Sequence, residues 1–432
     1  MSFRNYIDQL VKSGELVTIS EPFSTDCEIS AVLKGFEPKG VMFESIHDSD
    51  FKVAGNIFPT KAAFGDYFGL DSTEIIPTLT QAIENRSSPQ EIFDAACQEV
   101  VREDLNLDQL PILRHFEDDG GRYITSGVII ARHPEYGQNL DFHRCMQVSS
   151  TEMVMRVVKG RHFDAFLEDL GQVDVAVCVG CSPNVLAAAA TSVAIGIDEL
   201  EIANALEPLE VTKAKSVDLL IPAQTEFVLE GTVYADQRHA EGPFVDLTET
   251  QDVVRREPVF EVKVITHRRD AIWQALLPGG LEHKLLMGMP REPTIFKSVN
   301  QVVRCIDVNV NPGGASWLHA IIKIDKQAPD DGQKAIQAAF EGHSSCKHVF
   351  VVDEDIDIYD PMEVEWAMAT RFQGEKDMFV MEKERGSSLD PSAELGTHLT
   401  TKIGFDLTKP LGEEGKPFKK VAYPQVDLER FR

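Results

Sequence analysis

The chain has 432 residues, 43% of them hydrophobic and 26% charged, enough for two or three domains that each bury a core. Its 42 basic and 70 acidic side chains give a formal net charge of -28, which excludes general electrostatic attraction to nucleic acid or to an anionic membrane, and no basic run offers a local exception. Seven scattered cysteines, an N-terminus without an apolar signal core, and the lack of any stretch of about twenty apolar residues lead us to expect a cytoplasmic protein with reduced thiols and no membrane span. An anionic small substrate stays compatible, because the field in a cleft depends on its own lining.

Ser2 can cap a first helix in which Phe3, Tyr6, Ile7, Leu10 and Val11 keep helical spacing, and Gly14 can end it. Short strand-like and helical runs alternate to about residue 86. Ser88, Pro89 and Glu91 then supply the cap, first-turn proline and capping-box acid of a helix over 88–102. These elements predict a small α/β domain over 1–108. The chain then turns β-rich. Residues 123–132 predict a strand, His133, Pro134 and Gly137 interrupt it, Asn139 to Arg144 fall in a turn, and 145–158 form a second, largely apolar buried segment. A strand over 173–179, a helix with Ser182 as cap and Pro183 at its first position running towards Val193, and strands over 217–221, 226–234, 259–267 and 271–275 complete a β-barrel or sandwich with inserted helices over 109–300. Beyond 300, strand and helix alternate over 318–324, 331–340, 348–352, 361–370 and 377–381, the mark of a parallel sheet with covering helices over 301–432. The tail after Gly386 is expected to wrap a neighbouring domain or subunit.

Asn139, Arg144, Arg161 and His162 cluster beside apolar backbone. An amide oxygen, an imidazole and guanidinium groups can hold a metal ion and an anion together, although a polar rim on a β-hairpin has the same composition. Glu241 and Asp246 stand in EGPFVD, in a predicted loop between two strands. Paired carboxylates serve acid–base chemistry when one stays ionised while the other carries a proton; an acidic surface turn reads the same way. Cys178 and Cys181 have C-x-x-C spacing but no second pair, which favours buried strand-end thiols over a zinc knuckle. Pro312-Gly313-Gly314 reads as a turn, since no Walker lysine follows. Glu282-His283-Lys284 is either a helix start or a substrate or phosphate contact.

In their order and spacing, Asn139 with Arg144, His162, Glu199 in Gly-Ile-Asp-Glu, Glu241-Gly-Pro-Phe-x-Asp246 and Lys402 in TTKIGFD resemble the UbiD family of prenylated-flavin-dependent decarboxylases over essentially the whole chain. The resemblance implies an N-terminal α/β domain, a central split β-barrel like that of flavin reductases, and a C-terminal α/β domain used to form a homo-oligomer, dimer or hexamer. It implies prenylated FMN as cofactor, touched by Phe142, His143, Arg144, Arg161, His162 and Lys402 and supplied by a flavin prenyltransferase. Asn139, His162 and Glu199 would hold a divalent cation, usually manganese, against the cofactor phosphate, with potassium nearby. Arg144, Glu241 and Asp246 would be the catalytic set. Val245 departs from the pattern, since many relatives have glycine there.

The chemistry agrees with that implication. Loss of carbon dioxide from an sp² carbon leaves electrons in an orbital that cannot delocalise, so an organic electron sink is required. Arg144 can orient Glu241 and the substrate carboxylate, and Asp246 can deliver the proton. The stretch LLPGGLEHKLLMGMPREP is similar to an archaeal branch that converts trans-anhydromevalonate 5-phosphate to isopentenyl phosphate in a modified mevalonate route. A 4-hydroxybenzoate-type aromatic acid is the alternative substrate class. A split-barrel flavin oxidoreductase is the third reading and would need a nicotinamide site and no carboxylate pair. A phosphorylated substrate calls for two or more basic side chains at the far end of the pocket, and an aromatic acid for an apolar wall.

Overall fold

Residues 1–102, 104–412, 417, 418, 421, 424 and 426 are described in a computed structural model. They form two units, one of residues 1–293, 312–317 and 389–391, the other of 294–311, 318–388 and 392 onward. The class is mixed α/β, as expected.

In the first unit the opening helix, Phe3–Ser13, is capped by Ser2 and closed by Gly14 at φ 78°, with Phe3, Tyr6 and Ile7 buried. It leads into a four-stranded sheet of Leu16–Ile19, Gly40–Phe43, Lys52–Gly55 and, from far along the chain, Ile272–Ala275. The helix expected over 88–102 is absent. Gln90–Glu91 pairs with Glu210–Lys213, Ala96–Gln98 makes one 3₁₀ turn, and Val100–Val101 pairs with Thr266 and His267. Backbone ladders to distant strands outweigh the local capping signals.

The larger sheet of this unit has nine strands. Its path runs Tyr123–Ile124, Cys145–Gln147, Glu152–Met155, Arg255–His267, Phe227–Glu241, Gln172–Val179, Val128–His133, Gly137–Phe142, with Val100–Val101 joined to Arg255–His267. Every pairing is antiparallel. Alternation sends Val128, Ile130, Ala176, Cys178 and Val228 into one core and Ile129, Ala131, Val175, Val177 and Leu229 into another, so the sheet is buried on both faces. That explains the continuous apolar runs in its strands.

Two local expectations change here. Asn139 lies not in a turn but in a strand, opposite Ala131, and Gly137 makes the hairpin at φ 80°. Glu241 ends a strand rather than sitting in a loop, because two bulges let Phe227–Glu241 follow its partner seven residues past the predicted end. The helix over Pro183–Ala189 starts as predicted and stops before Val193; the next, Glu199–Leu206, starts where Asp198 accepts from the Leu200 N–H. Cys178 and Cys181 are buried free thiols.

The second unit is a five-stranded sheet in the order Cys305–Asn309, His319–Ile324, His348–Asp353, Leu399–Asp406, Met378–Arg385. The three middle strands are parallel and both outer ones antiparallel. Leu399–Asp406, expected within a wrapping tail, occupies an inner position. Its Gly404 permits close approach of the helix Asp331–Gly342, since a Cβ there would lie 2.2 Å from Ile336. Residues 413–416 and most of the last fourteen lie outside the described residues. No helix among the described residues is long and apolar enough to cross a membrane.

Glu282 fastens the helix Leu281–Gly288 to the four-stranded sheet. Its carboxylate is 1% exposed, accepts from the Ile57 N–H at 2.9 Å and from Gln274 Nε2 at 3.1 Å, and burial raises its pKa from 4.5 to about 7. A carboxyl whose folded pKa exceeds its unfolded value stabilises the fold while protonated, and that contribution is lost as pH climbs from 4.5 through 7. Glu282→Gln mimics the protonated acid. Melting temperatures measured across this window should therefore fall less in the variant than in the wild type; equal slopes would show that Glu282 does not take up the proton.

Candidate active site

Arg144 follows the hairpin strand Gly137–Phe142 and immediately precedes Cys145–Gln147, with its side chain 10% exposed. Its Nε donates to Glu241 Oε1 at 2.8 Å and its Nη2 to Glu241 Oε2 at 3.1 Å. Nη1 donates to Asp246 at 3.0 Å, and Nη2 also donates to Asp252 at 3.0 Å. The guanidinium lies 4.7 Å over the Phe244 ring. Burial alone would disfavour its charge, but the Glu241 hydrogen bonds and the three carboxylates outweigh burial and raise its pKa. The structure thus brings Arg144, Glu241 and Asp246 together and adds Asp252.

Glu241 is fully buried and is held from a second side by Tyr123, whose hydroxyl donates to Oε1 at 3.2 Å and accepts from the Gly242 N–H. Burial and the Glu241 charge keep that phenol protonated. Beyond Gly242, at φ 94°, Phe244–Val245 pairs with Gln251–Asp252, and Asp246 stands in the turn between them. Asp252 also receives Arg255, and the two arginines overcome burial to lower its pKa, so it is ionised. No motif contained Asp252 or Tyr123; the one sequence sign for Asp252 was an arginine three residues on. Val245 is half-buried, and nothing further in the structure accounts for its replacing glycine.

His283 is half-buried, and the charges of Asp246 and Arg144 both act on it. Its Nδ1 accepts from the Gly279 N–H at 3.1 Å, so the neutral ring carries its proton on Nε2, and burial lowers its pKa. Lys284 is bound to Glu249 and is held in that ion pair. The trio opens a helix, with Glu282 turned to Ile57 and away from the carboxylate group around Arg144. Arg291 donates to Ser192 and lies 5.1 Å over Trp317. Burial and the nearby charge of Arg161 lower its pKa to about 10, so Arg291 stays cationic at neutral pH.

Of the residues expected to hold a metal, Asn139 and His162 touch, and Glu199 reaches the backbone beside Asn139. Asn139 Oδ1 and His162 Nδ1 are 2.9 Å apart, Asn139 lies on the hairpin strand, and His162 opens the helix His162–Leu170. Glu199, 2% exposed, accepts from the Leu140 N–H at 2.7 Å, and burial raises its pKa well above the usual range. An amide oxygen, an imidazole nitrogen and a carboxylate suit a divalent cation, whose neighbouring ligands at roughly 2.1 Å stand about 3 Å apart. The buried, unpartnered Asn139 Nδ2 marks this amide as incompletely satisfied by the protein alone. Because the set includes an amide, it is not a cluster of three His, Cys, Asp or Glu, and none occurs among the described residues.

The remaining predicted cofactor contacts divide. His143 donates to the Arg156 carbonyl at 2.7 Å, its Nε2 lies 3.0 Å from Asp141, and that charge raises its pKa against burial. Phe142 is half-buried and Arg161 exposed. Lys402 belongs to the second unit, where it donates to the Ser344 carbonyl at 2.6 Å and lies 5.5 Å from the centre of the Phe340 ring.

Three consecutive blocks match family profiles of 3-octaprenyl-4-hydroxybenzoate carboxy-lyase: the N-terminal domain over 7–83, the Rift-related domain over 90–281 and the C-terminal domain over 284–407. The chain belongs to the UbiD family of carboxy-lyases. It is 39% identical over 427 residues to an anhydromevalonate phosphate decarboxylase of Methanothermobacter thermautotrophicus, covering 97% of this chain and 99% of that protein. It is 32% identical to the UbiD-class enzyme HmfF from Pelotomaculum thermopropionicum, solved in complex with FMN, with a TM-score of 0.97 over all of both chains. An evolved dimeric form of HmfF in complex with prFMN is 31% identical, with a TM-score of 0.92 over all of both chains.

The turn that carries Asp246 rests on Gly120, whose N–H donates to the Pro243 carbonyl at 2.8 Å and whose added Cβ would lie 2.1 Å from the Gly242 carbonyl oxygen. Gly120→Ala must push that turn away. A folded variant with turnover reduced by roughly a hundredfold is the expected outcome; unchanged steady-state kinetics would show that the turn's position does not matter.

Proposed function

We propose that the chain decarboxylates trans-anhydromevalonate 5-phosphate to isopentenyl phosphate, using prenylated FMN. The observation that carries this reading is the nearly end-to-end similarity to an enzyme named for that substrate class. The prFMN complex of the related HmfF supports the cofactor. The nine-stranded sheet would be the split barrel that houses it, within a division of the chain at about residues 108 and 300.

When bound, the prenylated flavin supplies the electron sink that carbon dioxide loss requires. Asn139, His162 and Glu199 would hold manganese or another divalent cation against its phosphate, with potassium close by. Phe142, His143, Arg144, Arg161 and His162 would contact the cofactor. Arg144 would orient the substrate carboxylate and keep Glu241 fixed beside it, and Asp246 would return a proton to the carbon that loses carbon dioxide. The Nε2–H of His283 offers a donor, and Arg291 and Arg161 positive charge, to a phosphate. A homo-oligomer built through residues 301–432 and a flavin prenyltransferase as supplier complete the reading.

Enzyme loaded with flavin and manganese should release carbon dioxide from trans-anhydromevalonate 5-phosphate; inactivity there, with turnover of a hydroxybenzoate, would reassign the substrate. Asp246→Asn keeps the shape and removes the transferable proton, so substrate should still bind while turnover falls by roughly a hundredfold or more; wild-type turnover would mean that another group is the acid. Glu199→Ala should lose both metal and flavin, because the cation would otherwise offset the phosphate charge. Full occupancy of both by elemental analysis and absorbance would remove the assigned metal site.

A further inference from the structure

Five N–H groups radiate from a guanidinium, and in Arg144 four are already committed. Nε–H and one Nη2–H go to Glu241, the other Nη2–H to Asp252, and one Nη1–H to Asp246. One N–H, on Nη1, is left. Asp252 is placed for this by the backbone: it pairs across the short hairpin with Phe244, the residue whose ring lies under the guanidinium. Its second oxygen accepts from the Val253 N–H at 2.8 Å, and Arg255 balances its charge.

We infer that Asp252 is a positioning residue that limits how firmly Arg144 can hold the substrate carboxylate. The inference rests on the reading above that Arg144 faces that carboxylate. Decarboxylation turns a charged carboxylate into neutral carbon dioxide, so a grip that favours the charged ground state more than the departing group raises the barrier. An arginine free to form a two-pronged pair would grip in that way. Sharing the guanidinium among three protein carboxyl groups leaves the substrate one N–H, enough to orient it without a two-pronged grip.

Removing Asp252 therefore has a signature unlike that of general damage. In Asp252→Ala one Nη2–H becomes available, and kcat and KM should fall together, each by roughly three- to tenfold, the pattern of lost ground-state strain. Asp252→Glu, which restores a carboxylate, should return both towards wild type. A structural role alone would lower kcat or raise KM without tightening binding.

The deciding experiment is calorimetric binding of the saturated analogue of trans-anhydromevalonate 5-phosphate, which cannot decarboxylate, to flavin- and manganese-loaded enzyme. Asp252→Ala should bind it about fivefold tighter than wild type, and Asp252→Asn, which keeps the side-chain shape, should tighten it less. The gain should persist when Arg255→Gln is added and vanish when Arg144→Ala is added. If Arg144→Ala alone weakens binding but neither Asp252 variant tightens it, or if the gain depends on Arg255, the role of Asp252 is rejected. If Arg144→Ala leaves affinity unchanged, or wild type does not bind the analogue, the underlying reading of the site is rejected and the inference with it.

Discussion

One buried guanidinium shared among three carboxylates is the constraint around which the candidate site is built. Each ion removed from water costs several kcal/mol unless partners replace the lost hydration, and here the guanidinium groups of Arg144 and Arg255 face the carboxyl groups of Glu241, Asp246 and Asp252. The antiparallel sheet makes that grouping affordable. It delivers Arg144 beyond one hairpin, Glu241 at the end of its longest strand and the two aspartates on a second hairpin, and it buries Tyr123 where its hydroxyl satisfies both Glu241 and the next backbone N–H. Slack in any of these backbones would leave an ion unpaired. Gly120 and Gly242 meet backbone to backbone at this point because a side chain on Gly120 would separate the turn from its support.

The charge distribution also reconciles a net charge of -28 with an anionic substrate. Basic side chains near the candidate site are not interchangeable. Lys284 is bound to Glu249 and stabilises a turn, whereas Arg291 stays cationic with the charge of Arg161 nearby and His283 presents an N–H. The acidic exterior would slow the encounter with an anion. Recognition on this account is therefore a matter of short-range donors in a shaped lining.

Much of this was legible in the sequence because the motif residues sit where backbone geometry is also encoded. Asn139 and Arg144 flank the end of one hairpin strand, Gly242 and Pro243 force the turn between Glu241 and Asp246, and the Ser2 cap and the helix start at Pro183 read correctly, although the Ser182 side chain makes no capping hydrogen bond. What failed were elements defined by distant partners. Residues 88–102 carry good helix-start chemistry yet pair as strand fragments with residues more than a hundred positions away, and Leu399–Asp406 looks like a polar tail until its place between two strands is known. Asp252 was missed for a different reason. Its importance comes from cross-strand register with Phe244, and no local spacing records a register.

The central claim is that Arg144, Glu241 and Asp246 surround the reacting carboxylate while the donors of His283, Arg291 and Arg161 take up a distal phosphate. The most direct measurement is a crystal structure of the flavin- and manganese-loaded enzyme with the saturated substrate analogue bound. The account predicts the analogue's carboxylate within hydrogen-bond distance of Arg144 Nη1 and its phosphate against His283 and Arg291. A carboxylate beyond reach of Arg144, or a phosphate turned to solvent away from both residues, would contradict it.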